Sequence, residues 1–297
     1  MTPPAPRRDT PEGRAYNDLR NLANRHGREP SEYFTLYALE GFLTRLAASP
    51  NAEDFVLKGG VLMAAFAVRR PTRDIDLAAL GFANEVAEVE RRIRGVLASP
   101  VEDGLSFDLE SVSAEEIRED AAYSGVRVRV VARLVSAVIA LHVDVNFGDP
   151  IWPAPTEAEL PLLLGGVLRL RGYPDHMVRA EKIVTAIDRG EQNTRWRDFV
   201  DIAALARTRQ IAARDLREAL NSVAAYRGVT LEPLAPLLEG MPSLAQRKWA
   251  TWRRKQRLTE STPEQFEELL VECTAFADPV LAGTTALRWD PEATAWR

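Results

Sequence analysis

The sequence predicts an α+β chain, with a mixed α/β half to about residue 170 and a mainly helical half beyond it. Three observations carry this. Short apolar runs with alternating polar positions, typical of strands, cluster between Asp54 and Gly172. Helical periodicity with proline starts and glycine stops flanks and then replaces them. With 297 residues, 46 % apolar and 27 % charged, the composition is that of a globular chain of one large or two ordinary domains.

The elements follow in order. Residues 1–9 are proline-rich and read as disordered. Thr10 is an N-cap and Pro11 a first helical residue for a helix ending near Gly27. "PSEYFTLYALEGFLTRLAAS" reads as a second, more buried helix. "DFVLKGG" is a strand running into a glycine turn, and "VLMAAFAV" a short buried helix after it. "RDIDLAAL" alternates as a strand, and "NEVAEVERRIRGVLAS" is an amphipathic helix. "LSFDLESV", "GVRVRVVARL" and "AVIALHVDVNFG" are β-rich. Val126–Leu134 and Ser136–Phe147 form an antiparallel ribbon whose joint, Arg133–Ser136, lacks a strong turn signal. A short strand, "GVLRLRG", leads to helices over "PDHMVRAEKIVTAIDRG", "WRDFVDIAALARTR", "ARDLREALNSVAAYRG", "LAQRKWATWRRKQR" and "TPEQFEELLVECTAFADPVL". The resulting domains are 1–170 and 171–297.

Composition excludes several classes. A formal net charge of −5 rules out a wholly basic nucleic-acid coat, so any RNA contact needs a local patch. One cysteine, Cys273, allows neither an internal disulfide nor a cysteine zinc cluster. The start lacks the apolar core of a Sec-type leader. No run approaches a membrane span. Cytoplasmic placement and no membrane partner are the expectation. P-loop, G-x-S-x-G and H-E-x-x-H patterns are absent.

Asp74 and Asp76 stand two apart in a strand, on one face, with Cα atoms roughly 6.5–7 Å apart. Aspartate is depleted in strands, and like charges on one face repel. A hard cation between them removes the repulsion, and Mg²⁺ takes one or two carboxylates plus substrate phosphates. A solvated edge strand is the plain alternative. On "LHVDVNF", His142, Asp144 and Asn146 share a face, so Asp144 is a candidate third carboxylate or an ordinary polar-face residue. In "VLKGGVLMAAF", Gly59 and Gly60 precede a helix N-terminus, a setting for phosphate, with Lys58 adding a charge. Arg69, Arg70 and Arg73 flank the acidic pair and suit a triphosphate.

Gly59-Gly60, a short helix and Thr72-x-Asp74-Ile75-Asp76 resemble the nucleotidyltransferase superfamily with the DNA polymerase β-like fold. Lys58–Gly60, Thr72–Asp76, Glu181-Lys182 and Arg197-Asp198 with Asp201, in this order over about 145 residues, are similar to the AbiEii/AbiGii toxin branch, which includes the mycobacterial MenT toxins. One departure is Val61, where many members carry Ser or Thr. The resemblance implies a polymerase β-like core with a mixed sheet and a helical half contributing to the active site and acceptor binding. It implies transfer of NMP from an NTP to an RNA acceptor, the tRNA 3′ end in the MenT branch, blocking translation. It further implies Mg²⁺ or Mn²⁺ on Asp74, Asp76 and Asp144, with two ions activating the acceptor and stabilising the leaving group. Nucleotide contacts are Lys58, Gly59, Gly60, Arg70 and Thr72, and catalytic residues Asp74, Asp76, Lys182 and Asp198. On the resemblance Lys182 falls on a phosphate, and Asp198 orients the lysine or the substrate end. A cognate antitoxin is the expected partner. Without the resemblance, Lys182 and Asp198 read as a solvated helix face, with Arg197–Asp201 an i,i+4 pair. His176 reads as a surface or cap residue.

Arg247–Arg257 holds six basic residues and two tryptophans. Arg247, Lys248, Arg253, Arg254 and Lys255 are candidate RNA contacts with base stacking. An amphipathic helix with both tryptophans inward is the other reading. Two other functions stay open: a nucleotidyltransferase acting on a small molecule or protein, and a non-catalytic nucleic-acid or partner-binding protein.

Overall fold

A computed structural model describes residues 6–66, 72–120 and 123–297. The chain divides into two units. One comprises the described residues of Met1–Ala65, Arg69–Gly148 and Thr156–Gly172, the other those of Phe66–Val68, Asp149–Pro155 and Tyr173–Arg297.

The first unit opens with α1 (Pro11–Arg25). Thr10 Oγ1 accepts from the Gly13 amide at 3.2 Å, and Pro11 occupies the first turn, where its missing N–H costs nothing. Residues 1–5 of the stretch read as disordered lie outside the described residues. Residues 6–9 are tied to α1, with Asn17 Nδ2 donating to the Pro6 carbonyl at 2.8 Å and Arg8 2.9 Å from Asp18. α2 (Pro30–Ala48) buries Phe34, Leu39, Phe42, Leu43 and Leu46. β1 (Phe55–Lys58) runs directly into α3 (Gly59–Phe66), followed by β2 (Asp74–Ala79) and α4 (Val86–Leu97). On α4, Val89, Ile93, Val96 and Leu97 form the buried stripe expected of a helix lying on a sheet.

β3 (Ser106–Asp120), β4 (Tyr123–Leu134), β5 (Ala137–Asn146), β6 (Thr156–Pro161) and β7 (Val167–Gly172) complete a seven-stranded mixed sheet, ordered β3-β4-β5-β2-β1-β7-β6. β2–β5 and β1–β7 are parallel, and the other neighbours antiparallel. The register sorts the side chains by face. Leu57, Ile75, Leu77, Val143, Val145, Val126 and Val128 share one face and are buried. α2 packs on β5 there, and α4 on β3 and β4. The opposite face carries the charges. Lys58, Asp76, Asp144, Arg127 and Glu115 stand in one cross-strand row. Asp74, His142 and Arg129 stand in the next.

The second unit is mainly helical: α5 (Asp175–Arg189), α6 (Trp196–Thr208), α7 (Ala213–Arg227), α8 (Leu234–Leu237), α9 (Met241–Lys255) and α10 (Phe266–Leu281). A small sheet of β8 (Ile211–Ala212), β9 (Arg288–Asp290) and β10 (Ala295–Trp296) joins them. Its core is aromatic, with Phe199 and Phe266 edge to face at 5.8 Å and Phe276 and Trp289 at 5.0 Å, a geometry the ring quadrupoles favour. The chain is therefore α+β as the sequence predicts, a mixed sheet followed by a helical half. No helix among the described residues is long and apolar enough to cross a membrane.

Candidate active site

In the first unit the carboxylates converge because the strands are in register. Asp76 pairs with Lys58 across β1–β2 and with Asp144 across β2–β5. Lys58 is buried, at 6 % exposure. Asp76 lies over Gly59, where an added Cβ would stand 1.9 Å from Asp76 Oδ2, and Gly59 has φ +68°. Only glycine accepts that φ at no cost and leaves the carboxylate its place. The Asp74 side chain is 40 % exposed, and its Oδ1 stands 3.2 Å from His142 Nδ1. Asp144 is buried and takes a two-pronged bond from Arg127, Nε to Oδ1 at 2.7 Å and Nη2 to Oδ2 at 2.6 Å. Among the described residues no three His, Cys, Asp or Glu side chains are grouped to hold a metal ion. Two aspartates alternating on one strand are nonetheless hard oxygen donors that suit Mg²⁺ or Mn²⁺, and the glycine beneath Asp76 leaves room for its carboxylate.

Val61, the departure from the family pattern, is buried. With Leu36, Leu39, Glu40, Gly60, Ala64 and Thr72 it lines one small recess. It therefore offers an apolar surface where Ser or Thr would offer a hydroxyl. Thr72 Oγ1 stands 3.5 Å from the Asp74 carbonyl. Arg73 is exposed. Arg69 and Arg70 lie outside the described residues.

In the second unit Lys182 on α5 meets α6. Its Nζ is 2.9 Å from Asp198 Oδ1 and 2.7 Å from Asp201 Oδ2. Arg195 Nε donates to Asp198 Oδ2 at 2.7 Å. Lys182, Asp198 and Asp201 are all buried. Burial pushes the Asp198 carboxyl up, but Lys182 and Arg195 outweigh it and hold it below the ordinary aspartate range. These helices thus present a closed ion cluster rather than a solvated face. Arg197 is exposed. At the start of α5, burial pushes the Arg179 guanidinium down to about 10. His176 is half-buried against the Trp152 ring at 5.8 Å.

On α9, Trp249 is fully buried, donates Nε1 to the Pro263 carbonyl at 3.3 Å and stacks on Trp252 at 5.5 Å. Arg253 turns inward to Thr262, whose Oγ1 accepts from Nε at 3.0 Å. Arg247, Lys248, Arg254 and Lys255 are exposed. The basic face is real, but Trp249 belongs to the core, and Arg253 fastens a loop.

Two residues escaped the sequence reading as partners of the acids, Arg127 and Arg195. Arg127 alternates correctly for the charged face, but only the β4–β5 register shows that it opposes Asp144. Arg195 lies three residues before Asp198, a spacing that gives proximity only if the helix starts where it does.

The family described as "Nucleotidyl transferase AbiEii toxin, Type IV TA system" matches residues 41–272. Two solved structures are similar. A candidate nucleotidyltransferase from H. pylori is 16 % identical, covering 82 % of this chain and 92 % of its own, with a TM-score of 0.44. JHP933 from Helicobacter pylori is 14 % identical, covering 75 % and 95 %, with a TM-score of 0.39. No curated protein matches. With the family match spanning most of its length, the chain belongs to the AbiEii nucleotidyltransferase toxin family.

Proposed function

We propose that this toxin-family nucleotidyltransferase moves NMP from an NTP to an RNA acceptor, the 3′ end of tRNA, and so blocks translation in the cytoplasm until a cognate antitoxin counters it. The observation that carries the reading is the Asp74–Asp76 pair on one strand face, with Asp76 seated over Gly59. The two aspartates would hold Mg²⁺ or Mn²⁺. Such a cation, when bound, supplies activation of the acceptor hydroxyl and neutralisation of the leaving pyrophosphate. Lys58, Gly59, Gly60 and Thr72 orient the triphosphate, by a side-chain charge and by backbone amides at the start of α3. On the helical unit Lys182 and Asp198 act as support, fixing Arg195, whose side chain is 45 % exposed. Catalysis on this reading is positioning and charge stabilisation.

The RNA acceptor is supported by the exposed basic face of α9. The test is incubation of the protein with total tRNA and each labelled NTP in Mg²⁺. Label transferred to tRNA by the native chain and lost in Asp74→Asn is the expected result. Transfer unaffected by Asp74→Asn, or label on protein or small molecules alone, overturns it. Replacing Arg247, Lys248, Arg254 and Lys255 with Gln should weaken tRNA binding and lower its log–log salt slope by about 0.7–0.9 per lost phosphate contact. NTP turnover without tRNA should be unchanged. An unchanged salt slope would leave this face as plain surface.

A further inference from the structure

The third acid of the charged face is already engaged. Asp144 stands between Asp76 on one side and Arg127 on the other, each a direct cross-strand neighbour. Both of its oxygens accept from the Arg127 guanidinium, at 2.7 and 2.6 Å. A two-pronged arginine–carboxylate bond fixes direction as well as charge. It commits both carboxylate oxygens of Asp144 to the guanidinium. The Asp144 side chain is 7 % exposed, so water does not loosen the pair, while Arg127 is 31 % exposed and reaches the surface.

From this we infer that Arg127 is a positioning residue that withholds Asp144 from the cation, so that the cation is held by Asp74 and Asp76 alone. The inference rests on the cation reading above. Arg127 cancels a negative charge one strand away from Asp76 and in doing so sets the affinity of the acidic pair. Removing the guanidinium alone releases the Asp144 charge beside Asp76. Cation binding then tightens, because an added negative charge within a few ångströms of a partly buried site attracts a divalent ion strongly. Replacing the whole ion pair with a neutral pair changes neither the net charge nor the set of ligands. An arginine with a purely structural role would alter the melting temperature and leave cation affinity where it was.

The experiment measures Mn²⁺ binding to the full-length protein by calorimetry and by the electron paramagnetic resonance of free Mn²⁺. It compares native protein, Asp74→Asn, Arg127→Gln and the double variant Arg127→Gln/Asp144→Asn. Asp74→Asn should weaken binding by roughly tenfold or more, since it removes a direct ligand. Arg127→Gln should tighten binding by roughly tenfold. The double variant should bind within about threefold of native. A double variant weakened roughly tenfold or more would show that Asp144 is itself a ligand and overturn the inference. So would an Arg127→Gln protein with unchanged or weaker affinity. If Arg127→Gln does not fold, the neutral double variant decides alone. If Asp74→Asn binds Mn²⁺ as the native chain does, the cation reading fails whatever Arg127 does.

Discussion

Two aspartate pairs occupy the two units and differ in what answers their charge. Asp74 and Asp76 sit two apart on a strand, Asp198 and Asp201 three apart on a helix, and each spacing puts both acids on one face. Asp74 is 40 % exposed and has a histidine nitrogen 3.2 Å away. Asp198 and Asp201 are 5 % and 2 % exposed, with a lysine shared between them and an arginine beyond. Charges buried together are answered by the protein itself, so their removal is felt as stability. Asp74 is open to solvent on the sheet face, so on the proposed function its removal is felt as activity rather than as stability.

The sharpest break of this contrast is Lys182→Met. It strips the shared cation from two buried carboxylates and leaves Arg195 on one of them. Removing one partner of a buried ion pair costs about 3–5 kcal/mol. Urea unfolding should show a loss in that range. A variant as stable as native would mean that water reaches the cluster and would return Lys182 to a direct role on substrate.

The converse is Asp74→Asn. Activity should fall by at least a hundredfold, or about 2.7 kcal/mol in the transition state. Stability should hold or rise slightly, because a like charge leaves a repelling face. A fall in stability as large as that of Lys182→Met would erase the distinction between the two pairs.

What the sequence showed follows the same division. The fold class, the main helices of both halves, the acidic strand and the glycine turn were legible, because caps, periodicity and residue spacing are local properties. β6 was not. Its Glu157 and Glu159 argue against a strand and are tolerated because they face Arg171 and Arg169 on β7, with Arg169 2.7 Å from Glu159. The β4–β5 joint was not, because Val135 turns the chain at φ +54° without a glycine, a β-branched residue where one is disfavoured. At the site, Asp144 was found by its alternation, but its engagement by Arg127 depends on register across a hairpin. Lys182 was found by its motif. That its charge closes on Asp198 and Asp201 depends on how α5 meets α6, which no spacing within either helix encodes.

The smallest effect sharpens the contrast by pH. Asp175, at the start of α5, belongs to the same buried-ion style as Asp198. Burial pushes its carboxyl up, but His176, Arg179 and Arg209 together hold it at about 2, from an ordinary 3.8. A carboxyl with a depressed folded-state value adds stability that is fully present above its unfolded value, near 4. That stability is lost as pH falls from there through about 2. The shift corresponds to roughly 2 kcal/mol at neutral pH. Asp175→Asn should therefore lower stability by that amount at pH 7 and make little difference near pH 2. Tryptophan fluorescence of urea unfolding at a series of pH values reads this directly, since Trp196, Trp249 and Trp289 lie in the core of the helical unit. Equal curves for native and variant at every pH would show that the arginines around Asp175 are answered by other groups.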